Sequence, residues 1–90
     1  SARDNYRVER EEKTGKGYAD FTFHTRRKND TAFIVELKKD EKPEIALKQI
    51  RSKEYVEKFK RENMGKKILA VAICYDSKEK EHHCLIEEID

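Results

Sequence analysis

Ile68 to Tyr75 is a nearly continuous apolar run, rich in Val, Ile and Ala, in a chain whose residues are 44% charged. Such a run is far too short to span a bilayer and suits a central strand covered on both faces. A strand of that kind needs partners on either side, so the rest of the chain is read for strands that pair with it and for a helix that covers it. Ninety residues leave room for one domain and one modest core. At 36% hydrophobic content, scattered apolar residues would leave the chain disordered, but here they fall in compact runs and predict a folded domain with a heavily charged surface.

The earlier part of the chain supplies the partners. Asn5 to Glu12 alternates loosely and predicts a first strand, followed by a turn at Thr14, Gly15, Lys16 and Gly17. Tyr18 to Thr25 alternates well, with Phe21 and Phe23 on one face and Tyr18, Asp20, Thr22 and His24 on the other. After a charged turn at Arg26 to Asp30, Thr31 to Lys39 places Phe33, Val35 and Leu37 on one face and Ile34, Glu36 and Lys38 on the other. From Glu44 to about Asn63 the pattern is helical, with Pro43 at its start, Gly65 past its end, and an inner stripe of Ile45, Gln49, Ser52, Val56 and Phe59. Asp76 to Glu81 is a polar turn, and His82 to Ile89 closes the chain as an edge strand, with Ile89 reached through a local irregularity.

Charge by itself points to no partner, since Lys and Arg together (21) exceed Asp and Glu together (19) by two. The polar N-terminus shows no targeting segment, and Cys74 and Cys84 read as reduced thiols in a cytoplasmic protein with no membrane partner. Ser1 and Ala2 read as a remnant left by expression, so the natural chain is expected to continue upstream. His82, His83 and Cys84 could suggest zinc, but neighbours on a strand alternate faces and no second ligand pair stands at metal spacing, so zinc is rejected.

The chemistry-bearing residues are those that sit on a sheet face with a charge. Glu36 and Lys38 are two apart and share a face, and a hairpin between the second and third strands brings Asp20 across from them. A carboxylate pair held this way is an oxygen-ligand set for Mg²⁺ or Mn²⁺, with Lys38 placed to stabilise charge on a phosphate. Such an assembly is expected to hydrolyse phosphodiesters. The alternative is a solvated strand face whose charges pair with neighbours. Gln49 lies inside an apolar stripe, where it either faces the same site or is satisfied by backbone groups; Tyr55 reads as helix packing. The basic turn Arg26, Arg27 and Lys28, and the helix cations Lys48, Arg51, Lys53, Lys58, Lys60 and Arg61, read mainly as solubilising, with some able to meet a phosphate backbone.

Taken in order, Gly15-Lys16-Gly17-Tyr18-Ala19-Asp20, Val35-Glu36-Leu37-Lys38, and Ala46-Leu47-Lys48-Gln49-Ile50 with Tyr55 resemble the PD-(D/E)XK nuclease superfamily. More narrowly, they resemble the nuclease-like domain at the C-terminal end of bacterial proteins with an ATPase-like region. The resemblance implies Asp20 and Glu36 as metal ligands, Lys38 as the catalytic lysine, and Gln49 as the helix residue facing the same site. Tyr18 stands where relatives commonly carry Arg. The implied fold is an α/β (mixed-sheet α+β) restriction-endonuclease-like core of about five strands with one long helix and the opening helix absent. Residues 1–90 are then a single nuclease-like domain, a C-terminal fragment of a longer protein, acting on DNA ahead of RNA. With one helix to cover the sheet, the isolated fragment is expected to self-associate.

Overall fold

A computed structural model describes residues 5–11 and 19–90. They form a mixed five-stranded sheet in the order β1-β2-β3-β4-β5, with two helices. The strands are β1 (Tyr6–Glu11), β2 (Ala19–Thr25), β3 (Ala32–Lys39), β4 (Ile68–Asp76) and β5 (Glu81–Ile89); the helices α1 (Pro43–Arg51) and α2 (Glu54–Glu62) lie between β3 and β4. β3 and β4 are parallel and the other pairs antiparallel. A parallel pair needs a long crossover, and the two helices are that crossover.

The period-two pattern puts one face of the sheet under the helices. Ala32 and Ile34 on β3, with Ile68, Ala70, Ala72 and Cys74 on β4, are buried there against Ala46, Leu47 and Ile50 of α1 and Val56 and Phe59 of α2. Small side chains at Ala32, Ala46, Ala70 and Ala72 let α1 approach the sheet closely, as dense packing requires. Asp20, Thr22, His24, Glu36 and Lys38 are buried on this same face. β4 is therefore closed on the helix side, while Leu69, Val71, Ile73 and Tyr75 on its other side stay half-buried. Coverage on both faces, expected from the apolar run, is not what the described residues provide.

The single helix expected from Glu44 to Asn63 is two. Ser52 caps α1, with its amide bonded to Gln49 O (3.1 Å) and its hydroxyl donating to the same oxygen (2.8 Å). Lys53 then turns extended (ψ 137°) before α2 begins. A serine hydroxyl that bonds back to the preceding turn competes with the helical ladder, which is how the break arises here. The break resets the helical phase, so Ala46, Leu47 and Ile50 point inward, whereas Ile45 is 45% exposed and Ser52 is exposed. Of the stripe expected from sequence, Val56 and Phe59 are buried and Gln49 is half-buried.

The connections are individually fastened. Gly65 adopts φ +82°, a left-handed turn that glycine takes without strain, two residues past Asn63, the C-cap of α2. Asp40 leaves β3 at φ 54° and accepts hydrogen bonds from the Ser77 amide (2.8 Å) and hydroxyl (2.6 Å), tying that corner to the β4–β5 turn. β5 runs in continuous register from Glu81↔Asp76 to Ile89↔Ile68, so Ile89 shares the face of His83 and Leu85 with no irregularity. The expected turn at Thr14 to Gly17, Tyr18, and any opening helix over residues 1–4 lie outside the described residues. Among the described residues no helix is long and apolar enough to cross a membrane.

Candidate active site

Asp20 and Glu36 are direct partners in the β2–β3 register and face the helices, Asp20 2% and Glu36 0% exposed. Directly opposed side chains on antiparallel strands stand about 5 Å apart at Cβ, close enough for both carboxylates to reach one small ion. Lys38, two residues along β3, brings its Nζ to 3.3 Å from Glu36 Oε1 and 3.9 Å from Glu41 Oε2. Burying two carboxylates is costly unless cations and hydrogen bonds compensate them. The chain meets that cost with lysines on both.

The second lysine was read from sequence only as one of several helix cations. The break after α1 swings Lys53 toward β2, where its Nζ lies 3.8 Å from Asp20 Oδ2. Two residues on, the Tyr55 hydroxyl donates to the same oxygen at 3.2 Å. Burial, and next the charge of Asp20, push the Tyr55 pKa far above its ordinary value, so the phenol remains a neutral donor. Tyr55, read as helix packing, is thus in the site as well. No sequence periodicity could show this, because the helical phase changes between Ile50 and Lys53.

Gln49 joins the group one side chain out, donating from Nε2 to Glu41 Oε1 (3.3 Å), while Glu41 also faces Lys38. Glu11 on β1 is the register partner of Asp20 and accepts the Thr22 hydroxyl at 3.4 Å. It lines a cleft of about 130 Å³ with Glu9, His24, Tyr55, Lys58, Phe59 and Glu62. Glu11 and Glu41 escaped the sequence reading, since a strand register across an unread turn and a residue in a strand-to-helix corner leave no periodic signal.

Other sequence candidates stand apart from this group. Arg26, Arg27 and Lys28 lie past Thr25, at the far end of β2 from Asp20. His82 and Cys84 pair with Tyr75 and Ile73 and face away from the helices. His83 faces the other way and joins Asp76 and Glu79 at the exposed β4–β5 turn, with ligand atoms within 4.8 Å of one another. That set is carboxylate and imidazole, so a search for Cys and His spacing does not reach it.

A family model of the PD-(D/E)XK nuclease superfamily matches residues 1–84. The chain belongs to that superfamily. No curated protein and no solved structure matches it. PD-(D/E)XK nucleases generally use divalent metal ions, and the donor set here fits that requirement. Asp20 and Glu36 offer hard oxygen ligands on a rigid sheet face, with Glu11 across from Asp20. The mixed sheet with its helical crossover is a restriction-endonuclease-like core.

Proposed function

We propose that the chain is a Mg²⁺- or Mn²⁺-dependent nuclease domain that hydrolyses phosphodiester bonds in DNA. The observation that carries this reading is the register pair Asp20↔Glu36, two buried carboxylates directly opposed on one sheet face, with a lysine ammonium on Glu36. Asp20 and Glu36 would hold the cation, which when bound would neutralise phosphate charge and acidify a water. Lys38 would then place its ammonium against the charge that develops on the phosphate in the transition state. Gln49, through Glu41, would fix the orientation of Lys38. The C-terminal position in a longer protein with an ATPase-like region, and the cytoplasm as compartment, belong to the same proposal.

One observation favours a second reading, a catalytically inactive nuclease-fold module of such a protein. Each buried carboxylate already has a lysine within 4 Å, Lys38 for Glu36 and Lys53 for Asp20, so part of their charge is compensated without a cation. Metal binding separates the two readings. In a cleavage assay with Mg²⁺ or Mn²⁺, Asp20→Asn and Glu36→Gln are each expected to lower turnover by at least about a hundredfold while the fold survives. Lys38→Ala should lower turnover more than DNA affinity. Wild-type turnover in all three variants, with contaminating nuclease excluded, overturns the assignment.

A further inference from the structure

The two lysines of the site are not equivalent. Lys38 is 9% exposed and lies between Glu36 and Glu41, whereas Lys53 is 30% exposed and its ammonium faces Asp20 from the solvent side. Lys53 is also the N-cap residue of α2, in extended backbone, and its side chain makes no capping bond. Among the described residues its head group meets one carboxylate, that of Asp20. The positive end of the α2 dipole lies at the same spot, partly offset by Glu54 and Glu57 of the first turn, so the charge that a phosphate would meet there is that of the Lys53 ammonium itself.

Resting on the nuclease reading, we propose that Lys53 is a substrate-positioning residue that alternates between two anions. In the metal-free protein its ammonium is the counter-charge of Asp20. When a divalent cation occupies that carboxylate, Lys53 turns outward to a phosphate of the nucleic-acid backbone. The physical basis is competition, because an ammonium and a metal ion draw on the same carboxylate charge and a cation bound there repels the lysine. Tyr55 stays behind as the neutral donor on Asp20 Oδ2, so the carboxylate keeps its orientation when the lysine leaves. Lys53 has the exposure needed to reach a substrate, and Lys38, boxed in by two glutamates, does not have to move.

This arrangement has an opposed-sign signature. Lys53→Met removes the competitor for Asp20, so Mn²⁺ titrated into the whole chain by calorimetry should bind about twofold to fivefold more tightly than to wild type. The same variant, with Ca²⁺ in place of Mg²⁺ so that cleavage does not intervene, should bind a short DNA duplex about twofold to fivefold more weakly by fluorescence anisotropy. The slope of log affinity against log salt should drop by about one unit, the share of one phosphate contact. Lys53→Arg should restore DNA affinity and the slope. A merely structural role would weaken both affinities together, and that outcome, or no change in either, overturns the proposal while Asp20→Asn still abolishes Mn²⁺ binding. If Asp20→Asn leaves Mn²⁺ binding intact, the nuclease reading fails and this inference falls with it.

Discussion

His24 shares the buried face with Asp20 and Thr22, and its ring is closed in on several sides. Asn63 Nδ2 lies 3.2 Å from Nδ1, Thr22 Oγ1 lies 3.3 Å from Nε2, and the Phe59 ring packs on it at 4.7 Å between centroids. Asn63 Nδ2 also donates to Phe59 O (2.9 Å), which orients the amide so that Nδ1 is placed to accept; this arrangement suits a neutral imidazole with its proton on Nε2, 3.6 Å from Glu9 Oε2. Burial, followed by the charge of Arg7, pulls its pKa below the ordinary 6.5; Glu62 and Glu11 oppose the shift and Lys58 adds to it. The unfolded chain therefore takes up a proton near pH 6.5 that the folded one refuses. Stability is full above that pH and falls as pH drops from there toward the folded pKa. In urea unfolding at about pH 7.5 and about pH 5.5, wild type should lose more stability than His24→Gln; an equal loss would show that His24 charges in the folded state.

At the level of elements, α2 is held by few side chains. Of its nine residues Val56 and Phe59 are buried and Tyr55 is half-buried against them, and the other six are charged, with Lys60 and Glu57 3.8 Å apart. Phe59, 1% exposed, is the anchor that seats the helix on β2 beside His24. Phe59→Ala should cost about 3–5 kcal/mol in chemical unfolding. Hydrogen exchange should quicken in α2 before it does in α1, whose three buried residues pack elsewhere. Because Tyr55 and Lys53 reach Asp20 from this helix, weakening its seat should also disturb the site; uniform exchange across both helices would instead show that they unfold as one piece. The existence of the helical segment was legible from its amphipathic pattern. Its division was not, because Ser52 and Lys53 are acceptable in a helix by propensity, and only the bond from the Ser52 hydroxyl to Gln49 O marks the stop.

For the molecule as a whole, the sheet face opposite the helices is expected to decide behaviour in solution. Tyr6, Phe23, Phe33 and Val35 line an apolar hollow there, Phe23 and Phe33 meet edge to face, and Val8 and Ile86 are 53% and 58% exposed. With strands about 4.8 Å apart and about 3.3 Å per residue, a five-stranded face presents roughly 500–700 Å², near the ~800 Å² per partner of a stable interface. A second copy of the chain packed face to face would bury it, so the isolated 90-residue protein should dimerise, and Val35→Lys should return it to monomer. Sedimentation over a concentration series tests this; a wild-type monomer throughout would mean that the face is satisfied as it stands.

Sequence alone determined which residues of β2, β3 and β4 share a face. Strand alternation is a property of the backbone, so Asp20, Glu36 and Lys38 could be placed on one side before any packing was known. The apolar run at Ile68 to Tyr75 likewise marked β4, and Pro43 and Gly65 bracketed the helical crossover. Tertiary structure alone decided what stands against those residues. Glu11 meets Asp20 through a β1–β2 register that no local pattern encodes, Glu41 joins Lys38 at a corner where the backbone takes a left-handed step at Asp40, and Lys53 and Tyr55 reach Asp20 only because the helix breaks. Periodicity is a local consequence of backbone geometry, whereas the partners of a buried charge are chosen by the cost of leaving it uncompensated, and that cost is set by everything the fold brings near.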